Sequence, residues 1–268
     1  MLPLQEGLVY GPVRSRRLGQ SLGVNVLPRN IKFCSFNCSY CQYGWTRTPP
    51  RSALYSGETW PSVASVARAV AARLQRAVAH HERIDRITLA GNGEPTLHPQ
   101  FAEVVAALRT VRDELAPTLP LAILSNSSTL DKADVVSGLS QLDERYMKLD
   151  AGDATILRRV NASPVPLPRI IDGLRHLPAI VIQAMFVRDR LARIDNASDL
   201  AVASWIEAVS QIRPLAVHVY TIDRTPAWPY LQPVPGPRLE EIARRARAAG
   251  LQADAFGNSV TAAVSASH

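Results

Sequence analysis

Residues 34–41 read Cys34-Ser35-Phe36-Asn37-Cys38-Ser39-Tyr40-Cys41, and the interpretation of the chain starts from them. They contain all three cysteines of the protein, spaced C-x3-C-x2-C. Soft thiolates gathered this closely select iron–sulfur clusters, zinc or copper(I). A closed [4Fe–4S] cluster takes four thiolates. Because the chain has no fourth cysteine, a cluster here would leave one iron open to a ligand that is not protein.

Zinc is the main alternative for these thiolates. A structural zinc site takes four protein ligands, commonly three cysteines and a histidine, with paired ligands close together in the sequence. The nearest histidines, His80, His81 and His98, lie about forty residues or more beyond Cys41 and have no partner at such a spacing. Three unrelated buried cysteines would not normally fall in one short polar loop. The pattern therefore favours a cluster with an open iron.

Outward from this loop, the sequence alternates predicted strands with predicted helices. Six strand-then-helix units predict parallel strands, because parallel neighbours need a crossover connection. Eight units would close a full barrel, so six predict an α/β fold with a partial (β/α)6 TIM-like barrel. The predicted strands are 22–27, 86–90, 121–124, 146–149, 179–187 and 215–222.

The predicted helices follow from apolar residues at helical spacing. Asp131 and Ser198 are the predicted caps of two of them. With 47% hydrophobic residues, no internal repeat and no linker, the 268 residues predict a single domain, with a basic arm at 1–21 and a cysteine loop at 28–59. The helices cover 60–80, 99–114, 131–139, 168–176 and 198–212, followed by a last one around Leu239, Ile242 and Ala246.

Polar residues follow several of the predicted strands, where folds of this kind place their active sites. The second strand ends in Gly91-Asn92-Gly93-Glu94-Pro95-Thr96, where glycines let the backbone approach a ligand and a carboxylate can pair with an ammonium. An ordinary glycine turn is the alternative. The next two strands end in Ser125-Asn126-Ser127-Ser128 and in Lys148-Leu149-Asp150, and helix capping is the alternative for the serines.

The net charge of +7 is concentrated near the cysteines. Residues 1–51 hold seven basic residues against the single acid Glu6, a net charge of +6. A basic surface suits phosphates, nucleic acid or an acidic electron donor. An arginine-rich composition without a particular partner is the alternative. The seven basic residues are Arg14, Arg16, Arg17, Arg29, Lys32, Arg47 and Arg51.

Neither the start of the chain nor its apolar runs indicate a membrane. The first residues lack the basic segment and apolar stretch of a signal peptide, and no uninterrupted apolar run approaches the length of a bilayer. Three cysteines in one loop do not make a disulfide framework. We therefore expect a cytoplasmic protein without membrane association.

The cysteine spacing, with Tyr40 directly before the third cysteine, resembles the radical S-adenosylmethionine (SAM) superfamily, whose signature is C-x3-C-x-aromatic-C. The resemblance implies that Cys34, Cys38 and Cys41 bind a [4Fe–4S] cluster whose open iron is chelated by the amino and carboxylate groups of SAM. One electron then cleaves SAM to methionine and a 5′-deoxyadenosyl radical. The resemblance also implies the (β/α)6 core of that family and an electron donor of the flavodoxin or ferredoxin type.

The segment after the second strand resembles the family's Gly-Gly-Glu element, which binds the amino group of SAM. Gly93 and Glu94 match it, and Asn92 stands in place of the first glycine. In this superfamily, polar residues at later strand ends hold the ribose and carboxylate of SAM. The cofactor-binding residues implied in this way are Tyr40, Asn92, Gly93, Glu94, Ser125, Asn126 and Asp150.

Candidate substrate residues come from the arm and from the later strands. The arginines of the arm could present forked donors to a phosphate or carboxylate if the arm folds back across the barrel, and a solvated arm is the alternative. Lys148 suits the same groups, with a solvated charge as its alternative. Gln183 lies near where the superfamily places adenine, and a buried, satisfied polar residue is its alternative. The substrate candidates are Arg14, Arg16, Arg17, Lys148 and Gln183.

The chain also contains Gly11-Pro12-Val13-Arg14-Ser15-Arg16-Arg17-Leu18-Gly19, Ser21-Leu22-Gly23-Val24-Asn25, Cys38-Ser39-Tyr40-Cys41-Gln42-Tyr43-Gly44 and Gly91-Asn92-Gly93-Glu94-Pro95-Thr96-Leu97-His98-Pro99. Together these stretches resemble the radical SAM group related to wyosine synthases, which build a tricyclic base on a guanosine of tRNA. Those enzymes carry extra cysteines for a second cluster, and this chain has none to spare. The resemblance therefore implies a single-cluster relative with its own substrate.

Two functions are expected from the sequence. The first is an enzyme that generates the 5′-deoxyadenosyl radical and abstracts hydrogen from an organic substrate, either an RNA nucleoside or a phosphorylated metabolite. The second is a non-enzymatic, zinc-dependent nucleic-acid-binding protein that uses the three cysteines and a distant histidine.

Overall fold

The structure is a computed structural model that describes residues 1–46 and 60–257. The rear of the predicted cysteine loop, 47–59, with Arg47 and Arg51, lies outside the described residues. Within the described ranges, strands and helices alternate along the chain, and the predicted α/β class with a partial TIM-like barrel is confirmed.

Eight of the described strands form one sheet in the order β1-β2-β3-β4-β5-β6-β7-β9, and the short β8 pairs with β6. Leaving β8 aside, neighbouring strands along this order from β2 to β9 are parallel, so their carboxyl ends meet at one rim of an open half-barrel. The strands are β1 Val9–Ser15, β2 Gly19–Val24, β3 Arg86–Leu89, β4 Leu121–Ser125, β5 Glu144–Lys148, β6 Ile180–Asp189, β7 Ala216–Thr221, β8 Leu231–Pro233 and β9 Ala253–Phe256.

The helices connect the parallel strands and share one apolar core with them. Leu22 and Ile87 of the sheet and Val70 and Leu108 of the helices are all completely or almost completely buried in it. Within residues 1–46 and 60–257, no helix is long and apolar enough to cross a membrane. The helices are α1 Val63–Ala79, α2 Phe101–Leu115, α3 Ala133–Ser140, α4 Ala154–Asn161, α5 Leu167–His176, α6 Asp199–Ile212 and α7 Gly236–Ala248.

The predicted basic arm is one half of a β-hairpin. Strand β1 pairs antiparallel with β2, from Val9 opposite Val24 to Ser15 opposite Gly19. The sequence gives little sign of β1, because an edge strand is half exposed and this one carries a proline, which edge strands tolerate. The hairpin fixes the place of the arginines in its turn.

Other differences from the prediction concern short elements. Helix α4 and strands β8 and β9 were not expected, since three to eight residues give too little periodicity to detect. Ser198 caps α6 as predicted, accepting a hydrogen bond from the amide of Ala201. The prediction that Asp131 caps a helix is wrong. Helix α3 begins after Lys132 without a side-chain cap, and Asp131 forms an ion pair with Arg169 at 2.8 Å.

The turn of the hairpin closes the amino end of the half-barrel. Leu18, 4% exposed, packs there with Ala122 of β4 and Tyr146 of β5. Arg86 donates to the carbonyl oxygen of Leu18 and pairs with Glu144 at 2.8 Å, which ties the first residues of β3 and β5 to the turn. The carboxyl rim is therefore the side from which a ligand can enter.

Close packing behind the end of β5 leads to a first prediction. A methyl group on Gly152 would overlap the backbone carbonyl of Ser204 on α6, whereas one on Gly236 would meet no atom. We expect Gly152→Ala to lower the free energy of unfolding by about 1–3 kcal/mol, because neither backbone can yield easily. Gly236→Ala should change it by less than about 0.5 kcal/mol. Urea unfolding of both variants is the measurement, and equal midpoints would contradict this packing.

Candidate active site

The cysteine loop leaves the carboxyl end of β2 and is held against the end of β3. Phe33 donates its amide to the carbonyl of Asn92 at 2.8 Å, and Glu94 donates its amide to the carbonyl of Phe33 at 3.0 Å. Gly93 lies between these bonds with φ +149°, and a side chain there would overlap the carbonyl of Phe33. Gly93 is therefore needed for the close approach of the cysteine loop.

The carboxylate of Glu94 is buried at this junction, 1% exposed. Its Oε1 accepts hydrogen bonds from the amide and hydroxyl of Thr96 and from Ser125 Oγ at 2.9 Å. Its Oε2 accepts one, from the amide of Asn126 at 2.6 Å. Burial raises the pKa of Glu94, and these hydrogen bonds only partly offset the effect. One lone pair of Oε2 is left for a further donor.

Ser125 and Asn126, predicted from the end of β4, meet both Glu94 and the cysteine loop. Asn126 Nδ2 donates to Ser35 Oγ at 2.9 Å and lies 3.6 Å from Cys34 Sγ. Ser35 Oγ also lies 2.6 Å from Ser128 Oγ. The end of β4 therefore positions the first cysteine.

The second cysteine is positioned by a network around Asp150, which is completely buried. Tyr40 donates its hydroxyl to Asp150 Oδ2, and Asn161 Nδ2 donates to the same oxygen at 2.7 Å. Asn161 Nδ2 also lies 3.3 Å from Cys38 Sγ. The other oxygen of Asp150 accepts the amide of Met185 at 2.8 Å. Both carboxylate oxygens are engaged, so Asp150 acts on the site through Tyr40 and Asn161.

Helix α4 binds the backbone of the same loop. The amide of Asn37 donates to the carbonyl of Asn161 at 2.9 Å, and the amide of Ser39 donates to that of Val160 at 2.8 Å. The loop thus satisfies carbonyls that the end of a helix leaves free. Asn161 was missed from the sequence. Its only signal is Asp153, an N-cap followed by apolar residues at helical spacing.

The environment of the thiols fits a cationic metal cluster. Burial raises the pKa of Cys34, and Cys38 and Glu94 raise it further. Burial and Asp150 likewise raise the pKa of Cys38. Thiolates form in such a place only when a metal centre compensates their charge. Three thiols beside two buried carboxylates are therefore a donor set that fits a cluster.

Within residues 1–46 and 60–257, the histidines and cysteines do not assemble a ligand set for a single zinc ion. His98 is engaged at both ring nitrogens: Nε2 lies 2.9 Å from the carbonyl of Pro61, and Nδ1 accepts the amide of Gln100 at 3.0 Å. His80 and His81 follow the last residue of α1, at the end of the helix away from the cysteine rim. Among the described residues, no three histidine, cysteine or acidic side chains are placed to hold one metal ion.

Asn92 is placed at the site but its side chain serves the fold. Asn92 Nδ2 donates to the carbonyls of Gln5 and Pro28 at 3.0 and 3.1 Å, and Oδ1 accepts the amide of Gln5 at 2.7 Å. All three side-chain hydrogen bonds go to backbone atoms. Asn92 therefore fastens the N-terminal segment to the rim, and only its backbone faces the cysteine loop.

Three of the five predicted substrate residues come together on the inner face of the sheet. Arg17 Nη1 donates to Gln183 Oε1 at 2.9 Å, and its guanidinium lies 3.6 Å from the ring centre of Tyr220. Lys148 Nζ donates to Tyr220 Oη at 3.0 Å.

The other two lie apart from that group. Arg16 pairs with Asp223 at 3.1 Å and donates to the carbonyl of Gly257, and Arg14 lies exposed on β1. The five residues therefore do not form one basic surface.

The sequence model of the radical SAM superfamily matches residues 31–187 of the chain, a range that contains the three cysteines, Glu94 and Asp150. A UPF0026 protein of Methanocaldococcus jannaschii is 29% identical over 241 residues, which cover 88% of this chain and 69% of that protein.

Two solved structures share the fold. A radical SAM methyltransferase from Sphaerobacter thermophilus is 16% identical, with a TM-score of 0.61 over 88% of this chain and 66% of its own. Streptococcus suis SuiB, bound to its precursor peptide SuiA, is 14% identical, with a TM-score of 0.62 over 88% of this chain and 48% of its own. The chain thus spans about two thirds of the methyltransferase and half of SuiB.

The network around Asp150 leads to a second prediction. Tyr40→Phe removes one hydroxyl donor from a completely buried carboxylate, which should lower the free energy of unfolding by about 1–3 kcal/mol. Tyr43→Phe is the matched control, because its hydroxyl accepts a longer hydrogen bond of 3.2 Å from Gln5 at a half-buried position.

Denaturant unfolding and amide hydrogen exchange of residues 34–41 measure the effect. We expect faster exchange of this segment in Tyr40→Phe only, because the loss is local to the cysteine loop. Equal exchange in the two variants would show that the hydroxyl of Tyr40 does not hold the loop.

Proposed function

The chain belongs to the radical SAM superfamily, and we propose that it cleaves S-adenosylmethionine reductively at a [4Fe–4S] cluster held by Cys34, Cys38 and Cys41 and then removes a hydrogen atom from an organic substrate. An enzyme of the radical SAM type uses these two cofactors and takes its electron from an external donor. When bound, the cofactors supply the 5′-deoxyadenosyl radical. The protein has to hold the thiolates, bind the methionine end of SAM and exclude water.

The approach of Glu94 to the cysteine loop is the observation that carries this proposal. Backbone bonds between Phe33 and the Gly93–Glu94 segment hold the carboxylate close enough to Cys34 to raise the pKa of its thiol. Oε2 keeps a lone pair that can accept a charge-assisted hydrogen bond from the ammonium of SAM. Ser125 and Asn126 fix the orientation of this carboxylate.

Apolar side chains beside the cysteines keep water away from them. Phe33 and Phe36, on either side of Cys34, are 5% and 2% exposed. Phe33 packs edge-on against Trp60, with ring centres 4.9 Å apart, and Trp60 packs in the same way against His98. A reactive radical needs a site from which water is excluded, because contact with solvent would allow side reactions of the radical.

The charge of the chain supports two further parts of the proposal. The net charge of +6 in residues 1–51 suits a substrate with a phosphate, either an RNA nucleoside or a phosphorylated metabolite. The same excess of positive charge around the cysteines suits an acidic electron donor of the flavodoxin or ferredoxin type.

Loss of the thiols gives a third prediction. Each of Cys34→Ala, Cys38→Ala and Cys41→Ala should abolish the SAM-responsive electron paramagnetic signal after anaerobic reconstitution with iron and sulfide, since the described chain offers no replacement thiol. Methionine formation from SAM with dithionite should fall to background in the same variants. The proposal fails if the triple variant still cleaves SAM reductively.

Replacement of Glu94 gives a fourth prediction. Glu94→Gln keeps the volume of the side chain but removes the charge, and it should weaken SAM binding roughly tenfold to a hundredfold while iron content stays unchanged. Glu114→Gln, an exposed site on α2, is the control. Isothermal titration of SAM into the reconstituted proteins measures both. An unchanged dissociation constant in Glu94→Gln would refute this role.

A further inference from the structure

Two cations that are distant in the sequence, Arg17 and Lys148, both contact Tyr220 inside the half-barrel. Lys148, Gln183 and His218 are in register on β5, β6 and β7, so their side chains point to the same face of the sheet. Tyr220 lies two residues beyond His218 and shares that face. Arg17 reaches the group from the hairpin turn and stacks on the ring of Tyr220, while Lys148 bonds its hydroxyl.

The charges at this place are not balanced by the protein. Asp150 is the carboxylate near Lys148, at 3.5 Å, and it already accepts hydrogen bonds from Tyr40, Asn161 and the Met185 amide. Within the described ranges, no carboxylate lies at ion-pair distance from Arg17. One buried carboxylate therefore stands against two cations.

The direction in which the pKa of Tyr220 is shifted is consistent with the same excess of positive charge. Burial alone raises the pKa of Tyr220, but Lys148 and Arg17 outweigh burial and the net direction is downward. The positive potential at the ring is therefore larger than the cost of removing water from it.

Unsatisfied polar atoms lie beside the two cations. Gln183 is 5% exposed and its amide nitrogen has no hydrogen-bond partner, while its oxygen accepts from Arg17. His218 Nδ1 is also buried without a partner. Buried polar groups are nearly always paired, so an amide left open next to two cations indicates a missing ligand.

We propose that Arg17, Lys148 and the amide of Gln183 form the binding site for the anionic group of a small-molecule substrate, a carboxylate or a phosphate. The remaining guanidinium donors of Arg17 and the open amide of Gln183 can donate to the oxygens of either group, and the ammonium of Lys148 adds positive charge. The inference rests on the proposed function, because it identifies this anion as part of the molecule from which hydrogen is removed.

The site lies next to the cysteine loop, as a substrate site requires. Lys148 Nζ is 5.0 Å from the ring centre of Tyr40, which directly precedes the third cysteine. An anion held between Lys148 and Arg17 places the rest of the molecule toward the rim, since Leu18 and Tyr146 fill the amino end of the half-barrel.

A small molecule fits this site better than an RNA phosphate. The two cations sit on the concave face of the sheet, beneath the hairpin turn, and both are partly or largely covered. The other two arginines of the hairpin are not part of this site. Arg16 forms an ion pair with Asp223, and Arg14 lies on the edge strand β1. A polyanion would need cations along an open surface.

Anion binding to the reconstituted holoenzyme tests the site directly. Inorganic phosphate and acetate, each titrated by isothermal calorimetry in the presence of SAM, distinguish a phosphorylated substrate from a carboxylate. We expect one of the two to bind at least tenfold more weakly to Arg17→Gln than to wild type, as for the loss of one charge-assisted pair. Gln183→Glu, which supplies Arg17 with an internal carboxylate, should abolish binding without removing a cation. Arg68→Gln, an exposed arginine on α1, is the control with the same charge change.

The outcomes separate this inference from the proposed function. Phosphate or acetate binding that is lost in both site variants but kept in Arg68→Gln supports the anion site, even if SAM is not cleaved. Equal binding in all variants, or no binding to wild type, overturns it while SAM cleavage can remain intact. Salt-dependent tRNA binding that is lost in Arg17→Gln, without binding of either small anion, also overturns it in favour of RNA.

Discussion

The buried carboxylate of Asp150 is the interaction on which the arrangement of the site depends. A carboxylate without solvent is costly unless it is paired and fully hydrogen-bonded. Here the hydroxyl of Tyr40, the amide of Asn161, the backbone of β6 and the ammonium of Lys148 meet that requirement. Each of these donors belongs to a different segment, so satisfying one charge brings together the cysteine loop, helix α4 and two strands.

Glu94 has the same role on the other side of the loop. It is a second buried carboxylate, bonded by β4 and by its own turn, and it sits where Gly93 allows Phe33 to pass closely. The loop is thus held between two negative charges before any metal binds. Burial is the main reason why the pKa values of Cys34 and Cys38 are raised, and the nearby Glu94 and Asp150 raise them further. A cationic cluster would therefore stabilise the loop by replacing the thiol protons.

The hairpin links the closure of the fold with its charge pattern. Leu18 closes the amino end of the half-barrel, and the neighbouring Arg17 necessarily enters the interior beside Tyr220. One turn therefore supplies both the apolar side chain that closes the amino end and a partly buried cation. Because the turn is anchored by Arg86 and Glu144, the position of Arg17 is fixed by the sheet itself.

The spacing of three cysteines, the alternation of strands and helices, and the Gly93–Glu94 segment were readable from the sequence, because each is a local pattern of few residues. Asn161, the hairpin strand β1 and the meeting of Arg17 with Lys148 and Gln183 were not. Arg17 and Gln183 are 166 positions apart, and only the curvature of the sheet brings them to 2.9 Å. The sequence by itself determined which chemical groups the rim carries. The tertiary structure decided which of them share a buried charge, since burial and pairing depend on contacts between distant strands.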